Sequence, residues 1–274
     1  MDLKSIFLSE GIEYFAALDI KKLNIVNERL LERSGVVPKS VIVFLIPYYG
    51  GGADNLSIYS TSRDYHLYIK KLNSRLIPMI KQMYPDAALV GFGDHSPIDE
   101  RHAAVSAGLG MIGKNGLLIN EKYGTFVFIA DIITDIEPDV IGAVNPRDAV
   151  FCEGCGLCLE ACPTGILSGD GTRCLSDVTQ KKGELSDDEK ELILRCGSVW
   201  GCDACQLSCP HNAAPVITPI EFFKTERIER LDLETLDAMF DEEFSERAYA
   251  WRGRKTVRRN LILFEAQKSD NADP

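Results

Sequence analysis

The chain has 274 residues, of which 45% are hydrophobic and 26% are charged, and its formal net charge is −11. This composition predicts a globular protein of one large domain or two modest ones. The acidic balance argues against a broad nucleic-acid-binding surface, because phosphates bind to clustered positive charge. The longest apolar runs are far shorter than a membrane span of about 20 residues, and the N-terminus does not resemble an export signal. We therefore expect a cytoplasmic protein that does not contact a membrane.

The first 147 residues alternate helical and strand patterns and predict an α/β domain. An N-terminal helix is followed by the strand YFAALDI, a helix closed by Gly35 and the buried strand SVIVFLIP. A glycine-rich loop leads into a long amphipathic helix over residues 62–85, where Pro78 predicts a kink, and then into the strand AALVGFG.

A short helix should follow this strand, with Ser96 as its N-cap, Pro97 at its first position and Glu100 in its first turn. The segments GLLIN and TFVFIADIITD, which flank EKYG, predict a β-hairpin.

From Phe151 to about Asn212, cysteine, glycine and proline dominate, as is typical of a small domain organised by metal rather than by a large core. The stretch KKGELSDDEKE inside it predicts a charged surface insertion. Short helices should continue after Pro215, and residues 267–274 predict a frayed tail. The predicted division is therefore 1–147, 148–215 and 216–274.

Seven of the nine cysteines fall into two related motifs, and Cys174 and Cys196 lie in the segment between them. CEGCGLCLEACP carries Cys152, Cys155, Cys158 and Cys162, and GCDACQLSCP carries Cys202, Cys205 and Cys209. In two-cluster ferredoxins, three thiolates at this spacing bind one [4Fe–4S] cluster, while the cysteine before proline serves the other.

This rule assigns Cys209 to the cluster held by Cys152, Cys155 and Cys158, and it assigns Cys162 to the cluster held by Cys202 and Cys205. One position of the second cluster remains open, and Cys174 is the nearest unassigned thiol. The spare Cys196 has apolar neighbours and is interpreted as a small buried hydrophobic residue.

Paired structural zinc sites are the alternative, but zinc usually takes two CxxC pairs a dozen or more residues apart. The cysteines therefore predict electron transfer through two [4Fe–4S] clusters.

The stretch GLGMIGKN matches GxGxxG through Gly108, Gly110 and Gly113, but it does not predict a dinucleotide site. That site needs a strand before the motif and a helix after it, whereas a helix leads in here and a strand leads out. The three glycines still indicate a close approach, either to a ligand or to another chain segment. Lys114 and Asn115 should lie at its rim.

Asp94 follows a predicted buried strand directly, at the end where α/β sheets hold ligands. It is either a functional carboxylate or a helix cap. The histidines His95, His102 and His211 have no partners at metal-ligand spacing, so we interpret them as surface or capping residues. The basic stretch WRGRKTVRRN is either a solvated helical face or a phosphate-binding patch formed by Arg252, Arg254, Lys255, Arg258 and Arg259.

Five segments, taken together and in order, resemble the epoxyqueuosine reductase family: RDYH, DHSPIDERHAAVSAGLGMIGKNGLLINEKYG, CEGCGLCLEACPTGIL, TRCLSDVTQ and GCDACQLSCPHN. These enzymes are cobalamin- and iron–sulfur-dependent relatives of reductive dehalogenases and complete queuosine in tRNA anticodons. The resemblance covers roughly residues 1–265. It implies an α/β cobalamin-binding, nitroreductase-like domain, an α+β two-cluster ferredoxin-like domain and short C-terminal helices.

The resemblance also implies residue roles. It supports Cys174 as the missing cluster ligand, and it makes Asp94 the general acid, since Asp94, Pro97 and Glu100 match the family's DxxPxxE segment. Cobalamin would lie between the α/β layer and the cluster domain. Its expected contacts are Asp94, Tyr48, Lys114, Ser176 and Thr179.

The predicted reaction passes electrons from an external donor, such as a ferredoxin or flavodoxin, through the clusters to cobalamin, which removes an epoxide oxygen from tRNA while Asp94 supplies a proton. Two departures weaken the tRNA assignment: the family's C-terminal helical-repeat region is missing, and Asp177 replaces the usual aromatic residue. The alternative is a corrinoid-reducing electron-transfer or handling protein without a tRNA substrate.

Overall fold

The computed structural model describes residues 2–270 of the chain. It contains two compact units that interleave in sequence. Unit 1 comprises Met1–Tyr48, His66–Cys155 and Ala214–Ile220, and unit 2 comprises Tyr49–Tyr65, Gly156–Ala213 and Glu221–Pro274. The division into 1–147, 148–215 and 216–274 stays a prediction, and residues 271–274 of the predicted tail lie outside the described residues. Within 2–270, none of the helices combines the length and apolar character needed to cross a membrane.

The helices and strands follow one another as short elements joined by loops. The helices are α1 (Leu3–Ser9), α2 (Glu28–Arg33), α3 (Tyr65–Met83), α4 (Glu100–Ser106), α5 (Pro138–Ile141), α6 (Leu157–Glu160), α7 (Leu175–Gln180), α8 (Asp187–Cys196), α9 (Ala204–Leu207), α10 (Leu233–Ala238), α11 (Asp241–Ser245) and α12 (Arg254–Asp270). The strands are β1 (Phe15–Asp19), β2 (Ser40–Pro47), β3 (Leu89–Gly93), β4 (Met111–Ile112), β5 (Leu118–Ile119) and β6 (Val127–Thr134).

Unit 1 is built on a four-stranded sheet in the order β1-β2-β6-β3. All neighbouring pairs are antiparallel, with Val43 and Phe92 opposite Asp131 on the two sides of β6. The rule that ligands bind at the carboxyl ends of strands holds for mostly parallel α/β sheets, so it does not by itself place a ligand at Asp94. Because β2 and β3 both run against β6, their carboxyl ends nevertheless lie together near its start. Tyr48 and Asp94 follow those two ends.

Both faces of this sheet are covered, which explains why β2 is buried at all eight positions. On one face, the Phe7 ring stacks on Phe15, with ring centroids 4.5 Å apart, and packs against Phe44. On the other face, Ala103 and Ala104 of α4 pack in the cluster that contains the inward residues of β2. The strands predicted from YFAALDI, SVIVFLIP and AALVGFG are confirmed.

The predicted hairpin of GLLIN and TFVFIADIITD is wrong. The turn between them forms, since Asn120 and Gly124 make an antiparallel bridge, but β5 pairs with β4 instead of β6. The second segment becomes β6, which lies between β2 and β3. Pairing with two distant strands buries more of this apolar segment than a local hairpin would.

Unit 2 has two apolar clusters, the larger around Trp200 and Tyr249 and the smaller around Leu175 and Ile193. The predicted insertion KKGELSDDEKE is in part the start of α8, where Ser186 and Glu189 form a capping box. Asn260 of α12 is fully buried, and its amide donates to the carbonyls of Thr179 (2.7 Å) and Val199 (2.9 Å). This side chain fastens α12 to the segments that carry cysteines.

We expect Asn260→Ala to lower the free energy of unfolding by about 2 kcal/mol or more, because it leaves two buried carbonyls without donors. The thermal midpoint of the purified protein should fall by several degrees. Asn145→Ala is the matched control, since Asn145 is exposed, and it should stay near the original midpoint. Equal midpoints for both variants would contradict the structural role of Asn260.

Candidate active site and cysteine clusters

Asp94 lies where β3 ends and the chain turns towards α4. Its φ is +65°, in the left-handed region that aspartate tolerates better than most residues other than glycine. The carboxylate is exposed, and one oxygen lies 3.4 Å from His66 Nε2. The turn thus presents an acid beside an imidazole at one end of the sheet.

The cap of α4 is Asp99, and the prediction of Ser96 as its N-cap is wrong. The Asp99 carboxylate accepts a hydrogen bond from the His102 N–H, 3.1 Å away. The helix begins three residues later than predicted, at Glu100. The capping interpretation of Asp94 is therefore also wrong, because another aspartate performs that task.

Glu100, the first residue of α4, is half-buried. Burial raises the pKa of its carboxyl to about 8, and the neighbouring charges of Asp131, Asp94 and Asp99 add to this rise. The backbone N–H of Asp94 partly opposes this rise in pKa. The Oε1 atom of Glu100 is buried without a hydrogen-bond partner.

Asp131 occupies the middle of β6 with no exposed surface. Burial raises the pKa of its carboxyl to about 7. The Ser96 hydroxyl is near enough to lower this pKa in part, but neither carboxyl oxygen reaches a hydrogen-bond partner. An acid in a strand of otherwise apolar residues is costly unless it holds a proton or finds a partner.

A cavity of about 560 Å³ runs along β3 and α3 beside this turn. The cavity lining includes Gly93 and His95, the sequence neighbours of Asp94, and His66, whose imidazole lies beside the Asp94 carboxylate. Asn73 also lines it, and a Cβ at Gly91 would lie 2.3 Å from the Asn73 amide nitrogen. Glycine at position 91 thus lets α3 approach the strand.

The glycine-rich loop packs against its own chain. A Cβ at Gly110 would lie 2.5 Å from the Ile119 carbonyl oxygen, and one at Gly154 would lie 2.7 Å from Lys114 Cε. The N–H of Cys152 donates to the Ile112 carbonyl (3.0 Å), so this loop borders the first cysteine motif. Close approach between chain segments is therefore the reason for these glycines.

Three of the four thiols assigned to the second cluster lie near one another in unit 2. Burial raises the pKa of the Cys202 thiol to about 12; the charges of Cys174, Asp203 and Cys205 add to the rise, and the Ala204 N–H opposes it. The charges of Cys174 and Cys205 can raise the pKa of Cys202 only from a short distance, so the three thiols lie close together. Their proximity fits a shared cluster, and thiolate is the ligand that such a cluster needs.

Cys162, the fourth thiol of this set, lies among backbone donors. Burial alone would raise its pKa, but the N–H groups of Leu167, Thr164 and Ile166 and the Thr164 hydroxyl together lower it. Hydrogen bonds to sulfur of this kind also stabilise a metal-bound thiolate. Cys196 is half-buried and, like Cys202, packs against the apolar cluster around Leu175 and Ile193.

The four cysteines assigned to the first cluster come from both cysteine motifs. Cys152 and Cys155 precede α6, Cys158 lies in α6, and Cys209 precedes Pro210. Their grouping stays a prediction based on spacing. In residues 2–270 there is no group of three His, Cys, Asp or Glu side chains arranged to hold a single metal ion. A [4Fe–4S] cluster is a different case, since its four thiolates bind four different iron atoms.

The residues predicted to contact cobalamin differ in exposure. Tyr48 is 7% exposed and stacks on Phe128, with ring centroids 4.4 Å apart. Thr179 has no exposed surface, and its hydroxyl accepts from the Gly201 N–H (2.9 Å) and donates to the Ser176 carbonyl (2.9 Å). Both side chains are engaged within the protein, whereas Lys114 and Ser176 keep exposed surface, and contact of any of the four with a corrinoid stays a prediction.

The basic stretch before and within α12 is engaged with unit 2 itself. Arg254 donates to the carbonyls of Leu236 and Met239, and Arg258 pairs with Asp237. Arg259 donates to the carbonyl of Lys181, 2.7 Å away. These contacts leave fewer of its charges for phosphate than the sequence suggests.

The cysteine segment and most of the chain each match known proteins. Residues 151–212 match the family described as a 4Fe-4S double cluster binding domain. The epoxyqueuosine reductase of Leadbetterella byssophila is 31% identical over 238 residues, which cover 82% of this chain and 76% of the relative. The chain belongs to the epoxyqueuosine reductase family.

Solved structures of epoxyqueuosine reductases agree with this membership. One contains a tRNA-Tyr stem loop modified with epoxyqueuosine; it is 25% identical, with a TM-score of 0.77, and the match covers 95% of this chain and 79% of that one. Another, from Bacillus subtilis, has its catalytic aspartate loop swung out of the active site; it is 25% identical, with a TM-score of 0.76 and the same coverage. The chain spans about half the length of several curated relatives of the family.

The sequence did not reveal two side chains that shape this site. Asp131 lies within the apolar segment TFVFIADIITD. The only sign of its role in the sequence is the presence of an acid among these apolar residues. Asp203, inside the second cysteine motif, accepts hydrogen bonds from the Ser57 hydroxyl and the Ile58 N–H, both at 2.6 Å. This buried carboxylate anchors the motif, and nothing in the local sequence distinguishes it from a surface acid.

We expect Cys174→Ala to lose about half of the iron of the protein, because it removes one thiolate from one of two four-iron sets. Iron and sulfide content and the visible spectrum of protein purified without oxygen measure the loss. Cys196→Ala is the matched control and should keep about eight iron atoms. Equal iron loss in the two variants would overturn the assignment of Cys174.

Proposed function

We propose that the chain is an oxidoreductase that reduces epoxyqueuosine to queuosine in tRNA. The observation that carries this proposal is the Asp94 turn: a chain of this family presents an exposed carboxyl beside His66 at the end of the sheet. Removing an epoxide oxygen as water consumes two electrons and two protons, so the site must deliver a proton to the departing oxygen. Asp94 is suited to deliver it, since a carboxyl within hydrogen-bond reach of a developing alkoxide is an effective general acid.

Two [4Fe–4S] clusters and cobalamin are the proposed cofactors. Cys152, Cys155, Cys158 and Cys209 would hold one cluster, and Cys162, Cys174, Cys202 and Cys205 the other. When bound, the clusters supply electrons one at a time and the corrinoid supplies the low-potential chemistry that breaks the carbon–oxygen bond. The nitroreductase-like description of the α/β domain and an external ferredoxin or flavodoxin as electron donor belong to the same proposal.

In this proposal His66 keeps the Asp94 carboxyl in place. Its Nε2 atom lies 3.4 Å from the carboxylate, and both side chains are exposed, so the pair is accessible to a substrate. Asp94 has a left-handed backbone and directly follows Gly93, the last residue of β3. The chain's own contribution is thus to orient the acid, while the cofactors supply the electrons.

A second function is favoured by the charge of the chain. The net charge is −11, and Arg254, Arg258 and Arg259 are bonded within unit 2. Those features suit a protein that reduces or handles a corrinoid for a partner enzyme and never binds tRNA. The solved complex of a related enzyme with a tRNA stem loop supports tRNA as the substrate, so we place this second function behind the first.

We expect Asp94→Asn to slow single-turnover conversion of epoxyqueuosine in tRNA by about 100-fold or more, because the amide has no acidic proton to give. Iron content and electron transfer to cobalamin should not change, since neither needs an acid at this position. The comparison uses anaerobic protein supplied with cobalamin and an electron donor, and it measures both rates on the same preparation.

Asp99→Asn is the matched control, because asparagine caps a helix as well as aspartate does. It should convert the substrate at nearly the original rate. An Asp94→Asn variant with full activity would remove Asp94 from the mechanism. A chain that reduces cobalamin but never converts epoxyqueuosine tRNA would favour the handling function.

A further inference from the structure

The two cysteine motifs carry an acid at the same position. Glu153 directly follows Cys152, and Asp203 directly follows Cys202. Glu153 is exposed, whereas Asp203 is only 8% exposed. We propose that Asp203 is ionised in the folded chain and that its negative charge lowers the reduction potential of the second cluster, of which Cys202 is a proposed ligand. This inference rests on the cluster assignment in the proposed function and adds a residue that the mechanism does not yet use.

Three hydrogen bonds hold the Asp203 carboxyl group inside unit 2. Its Oδ1 atom accepts from the Ser57 hydroxyl (2.6 Å) and from the Gln206 side-chain amide (3.0 Å). Its Oδ2 atom accepts from the backbone N–H of Ile58 (2.6 Å). Both oxygens therefore act as acceptors, as they do in an ionised carboxylate, which has no proton to donate.

The lengths of these bonds also favour the charged form. Burial raises the pKa of the Asp203 carboxyl, and its bonds to Ser57, Ile58 and Gln206 oppose part of that rise. A hydroxyl that donates to a carboxylate lies about 2.5–2.7 Å from it, and the Ser57 bond has such a length. A proton on Oδ2 would face the hydrogen of the Ile58 N–H, which the backbone holds in place.

The charge of Asp203 is not cancelled by a cation. All three donors are neutral groups, and within residues 2–270 no lysine or arginine forms an ion pair with this carboxylate. A buried charge acts more strongly on its neighbours than an exposed one, because less water screens it. The Cα atoms of consecutive residues lie about 3.8 Å apart, so this charge adjoins a proposed cluster ligand.

The surrounding backbone keeps Asp203 in this position. The Ser57 N–H donates to the Trp200 carbonyl (2.7 Å), and the Gly201 N–H donates to the Thr179 hydroxyl (2.9 Å). A Cβ at Gly201 would lie 2.4 Å from Ser57 Cβ, so the segment around Ser57 packs directly against the start of the second motif. The carboxylate therefore cannot turn outwards without breaking these contacts.

A fixed negative charge beside an iron–sulfur cluster opposes the arrival of an electron and lowers the reduction potential. The reduced second cluster is then a stronger reductant, which suits a chain proposed to reduce a corrinoid. Glu153 should have little effect on the first cluster, because water and salt screen an exposed carboxylate.

The test is a potentiometric titration followed by EPR spectroscopy on the full chain, loaded with clusters without oxygen and supplied with neither cobalamin nor tRNA. The unmodified protein should show two one-electron reduction steps, and Cys174→Ala should lack the step of the second cluster. Asp203→Asn should raise the potential of that step. The ratio of reduced to oxidised second cluster at a fixed potential should rise by about tenfold, which corresponds to about 59 mV for a one-electron couple.

Two further variants separate the charge from a structural effect. Glu153→Gln removes the exposed acid at the same position of the first motif, and it should change neither ratio by more than about twofold. Ser57→Ala keeps the charge of Asp203 but removes one donor that partly compensates it. It should therefore lower the ratio for the second cluster by about threefold, opposite to Asp203→Asn. A merely structural disturbance would not give shifts of opposite sign.

An unmoved step in Asp203→Asn, or shifts of the same sign in Asp203→Asn and Ser57→Ala, would overturn the inference. If Asp203→Asn does not retain the second cluster, Ser57→Ala decides: a lower potential supports the charge, and an unchanged or higher one overturns it. A single reduction step in the unmodified protein would overturn the two-cluster assignment and this inference with it. A protein with both steps that never converts epoxyqueuosine tRNA would overturn the proposed reaction alone, because the titration needs no substrate.

Discussion

The central constraint in unit 1 is the position of β6 between β2 and β3. Because both neighbours run against it, their carboxyl ends meet near its start, and Tyr48 and Asp94 emerge at one end of the sheet. The same pairing places the fully buried Asp131 opposite Phe92, two residues before Asp94. The exposed acid at the turn and the buried acid in the strand are thus both positioned by the pairing of β6.

In unit 2, buried polar contacts hold the segments that carry cysteines. Asp203 accepts hydrogen bonds from Ser57 and Ile58, and Thr179 accepts one from Gly201. Gly201 and Asp203 are the neighbours of Cys202 in the sequence. Asn260 adds the C-terminal helix to the same framework. Because each of these groups is buried, breaking its hydrogen bonds is costly. The fold can therefore bring Cys174, Cys202 and Cys205 together through protein contacts, and thiolate ligation would add to that stability.

The sequence alone determined the features that depend on neighbours along the chain. Cysteine spacing fixes how thiols can surround a cluster, so the double-cluster segment is recognisable from its motifs. The strands β1, β2 and β3 are predictable because their apolar runs end at clear breaks. Asp94 stands out for the same reason, since it directly follows one of these strands, and the DxxPxxE resemblance then distinguishes it from other acids.

Only the tertiary structure decided which distant segments meet. The sequence predicts a local hairpin for β6, because strand pairing between segments more than 35 residues apart leaves no local signal. It cannot distinguish Asp131 from a surface acid, or Asp99 from Ser96 as a cap, since burial and hydrogen bonding depend on what packs against a residue. For the same reason the arginines near the C-terminus resemble a free basic patch, whereas the fold directs three of them to carbonyls and a carboxylate of their own unit. Composition records how many charges a chain has, but the packing of its elements decides which of them remain available to a partner.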